Sequence, residues 1–203
     1  MIRLLLRGMA VGFSIAAPVG PIGVLCIRRT LGKGQRVGFF SGLGAATADA
    51  IYGSIAGFGL TFVSGFLVDQ QIWIRLAGGM FLCYLGARSF FTEPAERAGA
   101  SQSSRLAGAY GSTFLLTLTN PMTIISFAAI FAGLGLGEAD HDYLAATFLV
   151  FGVFVGSALW WFALSGAASL LRERFDVRAL RWVNRISGIV VAVFGLTALA
   201  SLL

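Results

Sequence analysis

One acidic residue, Asp49, lies deep inside an apolar stretch of the sequence, GLGAATADAIYG. A carboxylate surrounded by hydrocarbon is costly unless it is protonated, paired or hydrated, so Asp49 is a candidate for binding a proton or a cation. In a helix, Asp49 lies about 20° around the axis from Gly38 and Gly42 and about 40° from Gly53. Because small residues permit close helix contacts, we expect this face to meet protein rather than lipid. The alternative role is a structural hydrogen bond, for which three polar residues are candidates: Thr47, Tyr52 and Asn120.

Two apolar stretches are interrupted by residues that perturb helices. SIAAPVGPIG contains Pro18, Gly20 and Pro21, and TLTNPMTII contains Asn120 and Pro121. Inside a membrane, a loosened turn is tolerated only where its backbone groups face protein or a wet cavity. Amides at the start of a half-helix suit a carboxylate, and freed carbonyls suit an ammonium group, so matched breaks predict a site for an α-amino acid. The alternative is a kink that only improves packing.

The elements that must position these residues are membrane-spanning helices. Of the 203 residues, 57% are hydrophobic and only 12% are charged, which is outside the range of ordinary soluble domains. Apolar stretches long enough to cross a bilayer recur along the whole chain, and most charges fall between them. The fold class that we predict is an all-α polytopic membrane protein, a single transmembrane domain over 1–203 with six spans: 8–27, 37–67, 72–91, 110–136, 143–171 and 183–203.

The two breaks lie in corresponding positions of two halves of the chain. In each half the interrupted span precedes a second long span with spaced glycines, which we expect to let helices pack closely and slide: Gly38, Gly42 and Gly53 in one half, Gly152 and Gly156 in the other. Because three crossings separate the two breaks, the second copy would enter the membrane from the opposite side. The pattern predicts two inverted three-helix repeats, 1–91 and 110–203, joined by a cytoplasmic linker over 92–109.

The positive charge follows the predicted loops. The net charge is +6, and twelve of the fifteen basic residues fall between spans one and two, three and four, or five and six, when Arg88 and Arg185 at the adjoining span ends are included. The positive-inside rule places these loops in the cytoplasm and both termini outside. This distribution accounts for the charge without a nucleic-acid partner. Basic runs such as IRRTLGKGQR could bind anionic lipid, but topology alone explains them. The other three basic residues lie on the outer side: Arg3, Arg7 and Arg75. The long side chain of Arg75 is expected to snorkel to a membrane interface.

Few other residues could take part in catalysis, metal binding or redox chemistry. The single histidine, His141, lies in the acidic stretch EADHD, and Cys26 and Cys83 stand alone without a CxxC motif. The sequence therefore predicts no catalytic residue, no resident metal and no cofactor. Two alternatives stay open: a divalent-metal exporter, in which more ligands would converge on Asp49, and an intramembrane thiol or electron carrier that uses the two cysteines.

The chain resembles the LysE/RhtB type of amino-acid exporters of bacterial inner membranes over nearly its full length. The shared pattern is a Pro-Gly-Pro-like break, a basic loop, a glycine-rich second span with an aspartate, and an Asn-Pro break: Pro18, Gly20, Pro21, Gly38, Gly42, Asp49, Asn120 and Pro121. The extra residue in PVGP departs from the tighter Pro-Gly-Pro of many relatives.

The resemblance implies a secondary exporter of amino acids or related zwitterions, driven by the proton gradient. Asp49 would handle the proton or the substrate ammonium, and the two breaks would shape the site. The expected partners are a small-molecule amino acid, the proton and the lipid bilayer, and self-association into a homo-oligomer is compatible with the sequence. A single buried acid favours a neutral amino acid over a dibasic one, because a cationic side chain would need its own counter-charge.

Overall fold

The computed structural model is all-helical over the residues that it describes, as the sequence predicts. The described residues are 1–18, 20–58, 70–91, 102–120, 123, 126–127, 143–171 and 177–202. They contain seven helices: α1 Ile2–Ala16, α2 Pro21–Lys33, α3 Gln35–Gly57, α4 Gln71–Phe91, α5 Gln102–Leu118, α6 Tyr143–Leu171 and α7 Val177–Ala200.

Two of these helices are each long and apolar enough to cross a membrane, namely α6 and the part of α7 over Arg178–Ala200. The pair α1 and α2 passes the same criterion only as one bent span. Length and composition of the described residues therefore identify two or three of the six predicted spans. The helices are those of a membrane protein, and α6 has the limits predicted for the fifth span, 143–171.

The break in the first predicted span is a sharp corner between two helices. The axes of α1 and α2 differ in direction by 83°. Pro21 occupies the first turn of α2, where its missing N–H is not needed, and Gly20 precedes it with an extended backbone. The carbonyl of Gly20 accepts the first helical hydrogen bond, from the amide of Val24 at 3.1 Å. The predicted span 8–27 is thus two helices, which extend beyond both of its limits.

The predicted basic loop between the first two spans is not a loop. A single residue, Gly34, separates α2 from α3, and its φ of 98° lies in the left-handed region that favours glycine. Arg28, Arg29 and Lys33 belong to α2, and Arg36 belongs to α3. The basic residues therefore line a tight helical corner, where some of them can be buried.

Helices α3 and α6 form the centre of the bundle. They pack against each other, α1 packs on α6, α5 packs on α3, and α4 pairs with α7. A buried core lies where α2, α3, α5 and α7 meet, around Leu25, Ala45, Leu116 and Val191. The core and the helix pairs together fix the positions of α2 and α3, which carry most of the candidate site.

Glycines make the closest helix contacts. A Cβ atom on Gly8 or Gly12 of α1, or on Gly152 or Gly156 of α6, would collide with the backbone of the facing helix. Small residues spaced by four are the usual basis of such contacts in membranes. Helices α4 and α7 also meet at glycines, here spaced by seven residues in each helix: Gly79 and Gly86 in α4, Gly188 and Gly195 in α7. These six glycines of α1, α4 and α7 are not among the predicted packing positions, although their spacing is visible in the sequence.

Candidate functional site

A cavity of about 620 Å³ lies where the two helix breaks face Asp49. Five of the six residues predicted for the substrate and coupling site line it: Pro18, Gly20, Pro21, Asp49 and Asn120. The sixth, Pro121, lies outside the described residues. The cavity also receives residues of α4 and α7, which the sequence analysis did not connect with the site.

Asp49 is held by α6. The hydroxyl of Ser157 donates a hydrogen bond to Asp49 Oδ2 at 2.7 Å, and Trp161 Nε1 donates to Ser157 Oγ at 3.1 Å. Ser157 and Trp161 are one turn apart on α6, so a single helix face supplies both groups. Asp49 is only 3% exposed, which confirms that it faces protein. Its donor, Ser157, was not among the partners that the sequence suggested.

Two of the suggested partners of Asp49 make other hydrogen bonds. The hydroxyl of Tyr110 on α5 donates to Thr47 Oγ1 at 2.9 Å. The hydroxyl of Tyr52 donates to the carbonyl of Leu118 at the end of α5. Both contacts join α3 to α5, and the one from Tyr52 lies at the end of α5, where the second break begins.

The N-terminal turn of α2 faces the cavity. Pro21 has no N–H, and the amide of Val24 is bonded to Gly20 within the helix. The amides of Ile22 and Gly23 therefore have no acceptor inside α2, and both residues line the cavity. The partial positive charge of this helix terminus suits an anionic group such as a carboxylate.

The second break begins where α5 ends. The amide of Asn120 donates to the carbonyl of Thr117 at 3.2 Å, and the carbonyl of Asn120 accepts from the amide of Thr123 at 3.1 Å. The carbonyl of Leu118, freed by the end of the helix, is the acceptor for Tyr52. Thr117, Asn120 and Thr123 line the cavity. The loosened backbone therefore faces protein and cavity, as a break within a membrane requires.

The five glycines predicted to permit close packing lie outside the cavity lining. A Cβ on Gly38 would collide with the side chain of Thr30, and one on Gly42 would collide with Trp161. On Gly152 and Gly156 it would collide with α1. Gly53 differs, because a Cβ there would lie at an ordinary 3.6 Å from Val153. Four of the five positions thus require glycine for packing.

One end of the cavity carries an arginine. Arg75 of α4 lines the cavity, as does Ser201, which follows α7. Arg75 Nη1 lies 3.5 Å from Ser201 Oγ, at the limit for a hydrogen bond. From the sequence, Arg75 is predicted to snorkel to a membrane interface and is not connected with the site. Its position inside a predicted span was the available signal, because charges there seldom face lipid.

A second arginine, Arg29, joins three helices away from the cavity. Its Nη1 donates to Ser41 Oγ at 2.8 Å, to Thr113 Oγ1 at 2.8 Å and to the carbonyl of Ala109 at 2.9 Å. Its Nη2 donates to Ser112 Oγ at 2.7 Å. Arg29 is buried, and we call these five residues the Arg29 cluster. It ties α2 to α3 and α5, and none of its members lines the cavity.

The hydroxyls of the Arg29 cluster are oriented by their own helices. Ser41, Ser112 and Thr113 each donate to a carbonyl of the preceding turn, at 3.0, 2.7 and 2.9 Å. Their protons are used in this way, so the oxygen lone pairs remain to accept from the guanidinium. From the sequence, Arg29 is predicted to lie in a loop. The signal for its burial was the group of hydroxyl residues in otherwise apolar helices.

The two alternative chemistries find no support in the described residues. Cys26 and Cys83 are both free thiols, and the thiol of Cys83 points to the carbonyl of Ala192 at 3.9 Å. Within the described ranges, no group of three or more His, Cys, Asp or Glu side chains could hold a metal ion. The acidic stretch with His141 lies outside those ranges.

Comparison with known proteins adds a family and several relatives. A family described as LysE type translocator matches residues 13–202. The chain is 28% identical over 198 residues to "Putative amino acid efflux protein YcgF" of Bacillus subtilis (strain 168), which covers 95% of this chain and 93% of the relative. It is 22% identical over 196 residues to "Threonine efflux protein" of Escherichia coli (strain K12), covering 90% of each. No solved structure matches the chain.

Proposed function

The chain belongs to the family of LysE type translocators, and we propose that it exports a small neutral amino acid or related zwitterion across the bacterial inner membrane by proton antiport. A translocator moves its substrate without converting it, so the chain is a transporter and not an enzyme. The observation that carries the proposal is the cavity in which both helix breaks meet Asp49. Interrupted helices around a central cavity are a common form of substrate site in secondary transporters.

The substrate class follows from the groups around the cavity. The α2 terminus offers amides to an anion, whereas Asp49 offers a carboxylate to a cation. An α-amino acid carries both charges at neighbouring atoms. The relatives named for amino acid efflux and threonine efflux support the same class. A single deep acid favours a neutral side chain over a basic one.

We assign the coupling proton to Asp49. Ser157 fixes Oδ2, and the other carboxylate oxygen binds either a proton or the substrate ammonium. A protonated carboxyl no longer attracts an ammonium group, so the two cations compete. Substrate that enters from the cytoplasm displaces the proton into the cytoplasm, and a proton that arrives from outside displaces the substrate outward. This competition produces antiport without any further coupling site.

Helix packing supports two inverted three-helix repeats, predicted as 1–91 and 110–203 with a linker over 92–109, although α5 begins within that linker at Gln102. Exchange of the halves would superpose α1 on α5, α3 on α6 and α4 on α7. This exchange converts the α1–α6 contact into the α5–α3 contact. It leaves the α3–α6 and α4–α7 pairs unchanged, because each of these pairs contains one helix from each half. These four pairs make the most extensive contacts in the described residues. Six spans with both termini outside are the topology that we propose.

In that topology the Arg29 cluster lies toward the cytoplasm and Arg75 toward the outside. The cluster ties α2 and α3 of the first half to α5 of the second half, which closes the cytoplasmic end. The cavity reaches from the breaks to Arg75 and Ser201. We therefore assign the structure to a state that is closed toward the cytoplasm. Export requires a second state in which the Arg29 cluster separates.

The proposed function is tested with purified protein in vesicles. Vesicles loaded with labelled L-threonine, L-alanine, L-leucine or L-lysine are placed in acidic medium, and release is followed with and without a protonophore. We expect the gradient to accelerate release of at least one neutral amino acid and the protonophore to remove this acceleration. Release that ignores the gradient would contradict antiport, and transport of divalent metals alone would contradict the substrate class.

A further inference from the structure

The proposed site explains Asp49 and the two breaks but gives no role to the arginine that also lines the cavity. We propose that Arg75 binds the carboxylate of the exported amino acid and thereby makes a carboxylate a requirement for transport. This inference rests on the proposed function, because it assigns one end of the same substrate.

The position of Arg75 connects it with the second break. Gly78, three residues along α4, lies on the same helix face and packs against the carbonyl of Thr119. Thr119 immediately precedes Asn120, which lines the cavity together with Arg75. The close approach at Gly78 therefore sets Arg75 beside the second break. A substrate in contact with this break lies within reach of a long arginine side chain.

The chemistry of the guanidinium fits a carboxylate. Its N–H groups form a planar fork that can donate two parallel hydrogen bonds to one carboxylate. The long contact to Ser201 Oγ, 3.5 Å, is one that a carboxylate can replace by shorter, charge-assisted bonds.

Arg75 and Asp49 give the cavity one group of each charge. A zwitterion offers a group of opposite charge to each of them, whereas an amine without a carboxylate, or an acid without an amine, offers one to only one of them. The amides of the α2 terminus are the competing candidate for the carboxylate. The two candidates differ in a measurable way, because only Arg75 can be removed by a side-chain substitution that leaves the backbone of α2 intact.

The test compares L-threonine with L-threoninol, which lacks the carboxylate. Both compete against labelled L-threonine in counterflow measurements on vesicles that contain wild type, Arg75→Gln, Arg75→Lys or Arg3→Gln. Arg3 is an exposed arginine at the start of α1, outside the cavity, and serves as the matched control. For wild type and Arg3→Gln we expect L-threonine to compete roughly tenfold or more better than L-threoninol.

For Arg75→Gln we expect this ratio to fall toward one, and for Arg75→Lys to lie between, because lysine keeps the charge and loses the fork. If Arg75→Gln no longer supports counterflow, the same ratio is obtained from the increase in Tm that each compound gives the purified variant. An unchanged ratio in Arg75→Gln would overturn the role of Arg75 and assign the carboxylate to the α2 terminus. Absence of binding of any amino acid by wild type would instead overturn the proposed function, and the role of Arg75 with it.

Discussion

In the proposed mechanism, a proton and the substrate ammonium group compete for Asp49. Its burial and its place on the glycine face of α3 could be predicted from the sequence, because helical periodicity fixes which residues share a face. The identity of its hydrogen-bond donor could not be predicted. Ser157 lies 108 positions away, and only the register between α3 and α6 brings its hydroxyl to Asp49. The place of Arg75 in the cavity lining could not be predicted for the same reason.

The first prediction concerns Asp49→Asn, which nearly preserves volume and removes ionisation. We expect the variant to fold, because loss of a buried charge removes a desolvation cost and the amide oxygen can still accept from Ser157. Gradient-driven export should disappear. Exchange of labelled for unlabelled substrate should persist with weaker apparent affinity, because exchange needs no net proton movement. Ser157→Ala is the control that keeps the carboxyl and should keep gradient dependence. Full gradient-driven export by Asp49→Asn would exclude Asp49 from coupling.

The second prediction concerns Arg29→Met. It removes four hydrogen bonds between helices. Interhelical hydrogen bonds in membrane proteins contribute roughly 0.6 kcal/mol each on average, so we expect a loss of about 2 kcal/mol in the free energy of unfolding. Arg36→Met, at an exposed position at the start of α3, is the matched control and should change stability little. Unfolding of both variants in detergent measures the difference, and equal stability of the two would show that the Arg29 cluster contributes nothing to it.

At the scale of elements, the sequence located the break in span one but not its form. Pro18, Gly20 and Pro21 indicated an interruption, whereas the 83° corner depends on where α1 and α2 find packing partners. The single glycine between α2 and α3 was also missed, because four basic residues within 28–36 resembled a loop. The burial of Arg29 in this corner is a tertiary property, which local composition does not contain.

The third prediction uses Pro21, which begins α2 at the cavity. Proline at this position sets the backbone for the first turn and leaves no N–H in the wall. Pro21→Ala should therefore lower the rate of amino-acid release per folded molecule more than it lowers the yield of folded protein. Pro94→Ala, in the predicted linker, should change neither quantity. Parallel losses of rate and yield in Pro21→Ala would support a kink that serves packing alone.

The fourth prediction separates two glycines of the α3–α6–α1 core. Gly156→Ala places a methyl group against the backbone of α1 and should cost about 1–3 kcal/mol, because a packed backbone cannot move away easily. Gly53→Ala adds the same methyl group at 3.6 Å from Val153 and should leave stability unchanged or slightly higher. Thermal unfolding in detergent compares the two. A Gly53→Ala variant as unstable as Gly156→Ala would mean that helix packing does not distinguish the two sites.

At the scale of the whole molecule, composition was enough to predict an all-helical membrane protein, because apolar length is a property of local sequence. Which helices pack against each other could not be predicted. The α1–α6 and α4–α7 pairs join distant segments, and their glycine spacings acquire meaning only once the partners are known. This packing supports the proposed inverted repeat, whereas the proposed orientation in the membrane rests on the distribution of arginine and requires its own test.

The fifth prediction concerns that orientation. Single cysteines replace Gln102 or Asp140 in a chain whose own Cys26 and Cys83 are changed to alanine, and intact cells are treated with a membrane-impermeant maleimide. Twelve of fifteen basic residues fall on the proposed cytoplasmic side, so we expect labelling at Asp140→Cys and none at Gln102→Cys until the membrane is opened. Because one span separates the two positions, labelling of both from the same side would contradict the six-span arrangement. The reversed pattern would place Arg75 toward the cytoplasm, and the cavity between the breaks and Arg75 would then belong to the state that takes up substrate rather than the state that releases it.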